Sequence, residues 1–113
     1  MPIPKRNEHL KRSRLQEVRA ARQYGGSVNS GSGNQWRRKN DVRTTEESIE
    51  LKTTTKHSYS LKAAEIATAL KNALLDDRMM VFEIEFADDG ITCVVLDKSD
   101  YLTLRERGLS DSE

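Results

Sequence analysis

The apolar period of this chain changes abruptly past its middle. "SYSLKAAEIATALKNALLDD", residues 58–77, carries Ala63, Ile66, Ala67, Leu70, Ala73 and Leu74 as a stripe at helical spacing, with Ser60 as a candidate cap. Directly afterwards "MMVFEIEFA" alternates. Met80, Phe82, Ile84 and Phe86 fall on one face of an extended strand, Glu83 and Glu85 on the other. Asp88-Asp89-Gly90 then turns the chain into "ITCVVLD", so the two apolar runs read as a hairpin. A chain that switches from a period of about 3.6 to a period of 2 must combine helix with sheet.

The flanks complete the order. Residues 1–6, with Pro2 and Pro4, read as a flexible basic arm. From Asn7, a candidate N-cap, to Tyr24, the residues Leu10, Leu15, Val18 and Ala21 approximate a helical stripe among many arginines, and Gly25-Gly26 stops it. "GGSVNSGSGNQWRRKN" is a polar, glycine-rich connection with room for a short strand near Ser27–Ser30. Strands follow over 40–44 and 48–53. A last helix runs from Ser99 to Arg107 and ends at Gly108, leaving 109–113 as a disordered tail. The expected order is α-β-β-β-α-β-β-α, an α+β class with a mixed central sheet flanked by helices, in one domain over residues 7–108.

At 113 residues one domain is the expectation. No apolar run approaches the ~18 residues that cross a bilayer, and the basic start "MPIPKRNEHLKRSR" lacks the apolar segment of a secretory signal. The lone Cys93 excludes an intramolecular disulfide, offers no metal spacing and fits a reducing cytoplasm. The net charge of +1 conceals an asymmetry. Residues 1–43 hold eleven Lys and Arg against three acids, a net +8, whereas residues 44–113 hold eight against fifteen, a net −7. Such a basic half suggests an electrostatic footprint for a polyanion, with a solvated helix bearing a charged tail as the bland alternative.

The stretch "NDVRTTEESIELKTTTKHS", residues 40–58, carries the chemistry. With Thr44 to Glu47 as a hairpin loop, Asp41 falls opposite Glu50 and Val42 opposite Ile49, with Cβ atoms about 4.5–5.5 Å apart in such pairs. Val42, Ile49 and Leu51 share a face fit for a core. Asp41, Glu50 and Lys52 share the other. Two carboxylates this close repel unless a positive charge lies between them, and a hard divalent cation such as Mg2+ meets that need. Such an ion can polarise a phosphoryl oxygen and lower the pKa of a bound water. Lys52 would orient that water or stabilise charge developing on phosphate. The bland reading is an ion-pair ladder on a solvated strand.

An aspartate, a short gap and then Glu-x-Lys resembles the PD-(D/E)xK nuclease motif, and the wider arrangement resembles Holliday junction resolvases of the archaeal type and their phage relatives. The resemblance spans roughly residues 8–96. It rests on Glu17 in the first helix, "SGSG" at Ser30 to Gly33, Asp41, and "ELK" at 50–52. Asn40 stands where the motif has proline, and the gap from Asp41 to Glu50 is short. The resemblance implies a restriction-endonuclease-like core, with Asp41, Glu50 and the backbone carbonyl of Leu51 as metal ligands. Lys52 would be the catalytic lysine, and Glu17, with Glu8 competing, an accessory acid. It implies Mg2+, with Mn2+ able to substitute, and a homodimer acting on four-way DNA junctions. Ser30 or Ser32 would lie near the scissile phosphate. A general duplex or nicking endonuclease and a non-catalytic DNA-binding protein are the alternatives.

Charge supplies the DNA contacts. Arg12, Arg14, Arg19 and Arg22 decorate the first helix, Arg37, Arg38 and Lys39 precede Asp41, and Lys56, Ser58 and Tyr59 follow the strand. Thr54 shares a strand face with Lys52, and Trp36 reads either as a base-stacking wedge or as a loop anchor. His9 and His57 are expected to be exposed and Cys93 to pack in the core. Tyr101 and Leu104 read as core or dimer packing, and Asp88-Asp89 as turn chemistry.

Overall fold

The computed structural model describes residues 5–29 and 40–111, with backbone alone at Lys5 and Asp111. Its elements are α1 (Lys5–Tyr24), β1 (Ser27–Val28), β2 (Val42–Arg43), β3 (Glu47–Thr54), α2 (Ala63–Leu75), β4 (Met79–Phe86), β5 (Ile91–Val95) and α3 (Lys98–Asp111). The expected order and the α+β class hold. The strands form one sheet in chain order, antiparallel throughout except between β3 and β4. A parallel pair cannot be closed by a tight turn, and α2 supplies the crossover between them. Among the described residues no helix is long and apolar enough to cross a membrane.

Both sheet faces carry a small core. On one, Val42, Ile49, Leu51 and Val81 meet Ala20 of α1; on the other, Met80, Phe82 and Ile84 meet Ala69 and Ala73 of α2. The predicted register holds, with Val42 paired to Ile49 and Arg43 to Ser48. The turn between them closes on Thr44, whose Oγ1 accepts the amides of Glu46 and Glu47. Gly25, at φ +70, ends α1 in the left-handed region that glycine adopts without strain. Gly26 lies so close to the Arg43 carbonyl that a Cβ there would overlap it.

The helix faces differ from the sequence expectation. On α1 the residues turned inward are Gln16 and Ala20, while Leu10, Leu15 and Val18 are 57%, 57% and 49% exposed. The reason lies in β4. Its Glu83 and Glu85 face α1, so the helix must present donors to them. Gln16 Nε2 donates to Glu83, Tyr24 Oη donates to Glu83 and Arg19 pairs with Glu85. On α2 the small residues Ala69 and Ala73 approach the sheet, flanked by Ile66 and Leu70, whereas Ala63, Ala67 and Leu74 are exposed.

Several boundaries and burials move too. α1 starts at Lys5, which places Asn7 inside the helix rather than at its cap and takes Lys5 and Arg6 out of the expected arm. α2 is preceded by Lys62 with no side-chain cap, so neither Ser60 nor Ser58 caps it. Gly108 does not stop α3, which runs on to Asp111 through part of the expected disordered tail. A helix-interior glycine costs roughly 1 kcal/mol but does not force an end. Cys93 is exposed rather than packed in the core, because no helix covers β5 from Ile91 to Val94. Tyr101 and Leu104 are exposed as well, as is every residue from Tyr101 to Ser110.

Candidate active site

The site is built where β2 enters the sheet. Asn40 is buried. Its Nδ2 donates to Ser48 Oγ at 2.9 Å and to the Ala69 carbonyl at 3.3 Å, and its Oδ1 accepts from Asn72 Nδ2 at 3.3 Å. The residue standing in the motif's proline position therefore ties the strand start to α2. Asp41 comes next. Its amide donates to the Ile49 carbonyl at 2.9 Å, and its Oδ2 accepts the Leu51 amide at 2.9 Å. The Asp41 carboxylate is thus held by main chain across the hairpin, beside Glu50.

Asp41, Glu50, Leu51 and Lys52 line one cleft of about 430 Å3, closed by Gln16 and Glu17 of α1 and by Tyr59. Burial, a hydrogen bond shared with Asp41 and the Asp41 charge push the Glu50 carboxyl up to about 8, against a smaller opposing pull from Lys52. Glu17 is also raised, first by burial and then by the charge of Asp41, with Arg14 opposing. The helix carboxylate of the site is therefore Glu17. Glu8 is exposed and does not line the cleft.

Two groups that contact the cleft's Lys52 were not assigned a role from sequence. Glu65, in the first turn of α2, lies 3.8 Å from Lys52 Nζ and accepts Tyr59 Oη at 2.7 Å. That hydrogen bond, ahead of Lys52's charge, lowers its carboxyl, while Tyr59 is raised by burial and by the same bond. Gln16 donates to the Lys52 carbonyl at 2.9 Å and to Glu83 at 3.2 Å, anchoring the strand beneath the lysine. The missed signal was topological: a crossover helix returning over β3 brings its first turn back above the strand's end.

The remaining candidates scatter. Arg12 and Lys56 line a neighbouring cavity with Thr54, Arg14 and Arg22 are exposed, and Arg19 is spent on Glu85. Ser58 is exposed. His57 is exposed as expected, and its Nδ1 lies 2.9 Å from Asp89, which gives the turn a partner and raises the imidazole pKa. Ser30, Ser32, Trp36, Arg37, Arg38 and Lys39 lie outside the described residues.

Among the described residues no set of three His, Cys, Asp or Glu side chains is grouped to hold a metal ion. The donor set nevertheless suits a hard divalent cation. Two oxygen-ligand side chains adjoin in an open cleft, and Glu50, raised first by burial and then by its hydrogen bond to Asp41 and the Asp41 charge, would be drawn to its ionised form by a cation there. Comparison of the chain with protein-family models, with curated proteins and with solved structures gives no match.

Proposed function

We propose that this protein is a metal-dependent, structure-selective DNA endonuclease, a Holliday junction resolvase that makes paired nicks by phosphodiester hydrolysis. What supports the reading is one observation. Two carboxylates, Asp41 and Glu50, share a cleft with Lys52, and burial, ahead of the hydrogen bond and charge of Asp41, raises the Glu50 carboxyl to about 8. A strand wall that served only as an ion-pair ladder would alternate its charges rather than pair two acids.

Asp41, Glu50 and the Leu51 carbonyl would hold Mg2+, or Mn2+ in its place, with Glu17 as the accessory acid. When bound, the ion would supply Lewis acidity at the scissile phosphate. The Asp41 carboxylate is preset by the Leu51 amide, so little reorganisation is needed when the cation arrives. Lys52, steadied by Glu65 and Tyr59, directs its ammonium into the cleft, where it stabilises charge on the phosphate oxygens as water adds and the P–O bond breaks. Two symmetric nicks in a four-way junction call for two copies, so the working unit is a homodimer.

The test is cleavage of a labelled four-way junction beside a linear duplex of matching sequence, with Mg2+ or EDTA. Wild type is expected to make Mg2+-dependent paired nicks in the junction alone. Asp41→Ala and Lys52→Ala are expected to lose about 10²–10³-fold in rate, the scale of removing a main electrostatic stabiliser. Equal cutting of linear duplex would make the protein a general endonuclease. Tight junction binding with no cleavage under any divalent metal would leave a DNA-binding protein.

A further inference from the structure

A second cavity, of about 520 Å3, adjoins the acid cleft and shares His9 and Thr53 with it. The two differ in charge. The acid cleft contains Glu17, Asp41 and Glu50, whereas the neighbour is lined by Arg6, Arg12, Lys56, His9 and the Thr53–Thr55 run, with no carboxylate. At its wall Arg12 Nε is buried and has no hydrogen-bond partner among the described residues, and Nη2 of the same guanidinium lies a long 3.4 Å from His9 Nδ1. Leaving a buried donor of a charged group unmade is costly, and such an atom calls for a ligand. Two other arginines of this helix contrast with it: Arg19 pairs with Glu85, and Arg14 lies close enough to Glu17 to lower its pKa.

We infer that this cavity is a subsite for one backbone phosphodiester of a nucleic-acid strand, held beside the phosphate that occupies the acid cleft. The Arg12 guanidinium lines the cavity, and once its side chain turns to bring the buried Nε–H outward it offers the fork that suits a phosphate's two free oxygens. Arg6, on the same helix, and Lys56, after β3, add charge to the lining, and the exposed Thr55 can donate a hydroxyl. The cavity has room for the phosphate with its flanking sugars. Along β3 and the residues after it, the order Glu50, Lys52, Thr54, Lys56 runs from acid to base. A strand lying along it is therefore gripped on one side of the cleavage point, which gives it a direction. The substrate class rests on the endonuclease reading; the anion chemistry does not.

The experiment separates the two. Inorganic phosphate is titrated into the metal-free full-length protein while the Arg side-chain N–H resonances are followed by NMR. In parallel, junction and single-stranded DNA binding is measured in EDTA by fluorescence anisotropy across a salt series. Phosphate is expected to shift the Arg12 Nε–H signal selectively. Arg12→Ala and Lys56→Ala are each expected to weaken DNA binding about tenfold or more and to reduce the salt slope by about one. Arg12→Lys keeps the charge and the stem but loses the fork, so it should recover the salt slope and only part of the affinity. Lys71→Ala, at an exposed position on α2, serves as the control for general charge loss. An Arg12 signal that ignores phosphate, or DNA affinity that falls no further in Arg12→Ala than in Lys71→Ala, overturns the subsite whether or not the junction is cut. Loss of cleavage chemistry in the wild type with these binding results intact would sink the endonuclease reading and leave the subsite standing. A response to inorganic phosphate without any effect of the variants on DNA would assign the cavity to a free anion and overturn its place on a nucleic-acid strand.

Discussion

At the scale of single residues, the informative group is Glu50. Its folded pKa, near 8, lies above the ordinary value of 4.5, so between those limits the native state holds a proton that the unfolded chain releases. Stability of the metal-free protein must then fall as pH rises through this window. The expected loss is on the order of 3 kcal/mol, read as a lower urea midpoint at pH 8 than at pH 5. Glu50→Gln, which cannot ionise, is expected to remove most of that slope; a slope identical to wild type would mean that Glu50 is ionised at neutral pH. Magnesium should oppose the trend, because the cation favours the ionised carboxylate. Its stabilisation, measured by thermal unfolding with and without one fixed Mg2+ concentration set at ten times the Kd found at pH 8 (about 1.4 kcal/mol at that excess), should be larger at pH 8 than at pH 5. The pairing of Asp41 with Glu50 was readable in the residues themselves, since Val42, Ile49 and Leu51 leave one register for a hairpin with a buried face. That Leu51 donates its amide to Asp41 was not readable, because a main-chain donor leaves no mark in the residue code.

At the scale of elements, the β2–β3 register and the β4–β5 hairpin followed from alternation and turn residues, whereas the parallel pairing of β3 with β4 and the rotation of both helices did not. A helical stripe is read from apolar side chains, but α1 rests on a sheet face that carries Glu83, Glu85 and Thr53, and polar contacts decide its rotation. α2 shows the complementary effect, since alanines reach the sheet where leucines would hold it off. Two substitutions probe these seats. Gly26→Ala drives a methyl into the Arg43 carbonyl and should cost about 1–3 kcal/mol in a denaturant titration, since main chain rather than a flexible side chain must yield. Asn40→Ala removes the tie from β2 to α2 and strands Asn72; about 1–3 kcal/mol is expected. If Asn40 positions Asp41, the variant should also bind Mg2+ more weakly, whereas Gly26→Ala should not.

At the scale of the whole molecule, one end is covered and the other bare. α3 exposes Tyr101, Leu102, Leu104 and Leu109, and β5 exposes Ile91 and Val94 along a sheet edge. A helix of 14 residues is marginal alone in water. Asp97 and Asp100 stand at its start and Arg105 and Arg107 in its second half, so two copies lying antiparallel would oppose acid to base at both ends. This is the face on which the expected homodimer would close. The thermal midpoint should therefore rise with protein concentration, and Leu102→Glu with Leu109→Glu should yield a monomer by ultracentrifugation; a concentration-independent midpoint would argue against it. A different consequence follows from the polar seat of α1. The helix is synthesised before every strand it rests on, and to the cluster on its side of the sheet it brings the buried Ala20 with the partly buried Ala21 and Tyr24, so little apolar burial draws it down early. Its docking waits on β4, the strand that carries Glu83 and Glu85. Glu17 and Arg12 ride on that helix. The sheet can thus be complete while the cleft is still missing a wall, and acquisition of activity during refolding should lag behind acquisition of sheet structure.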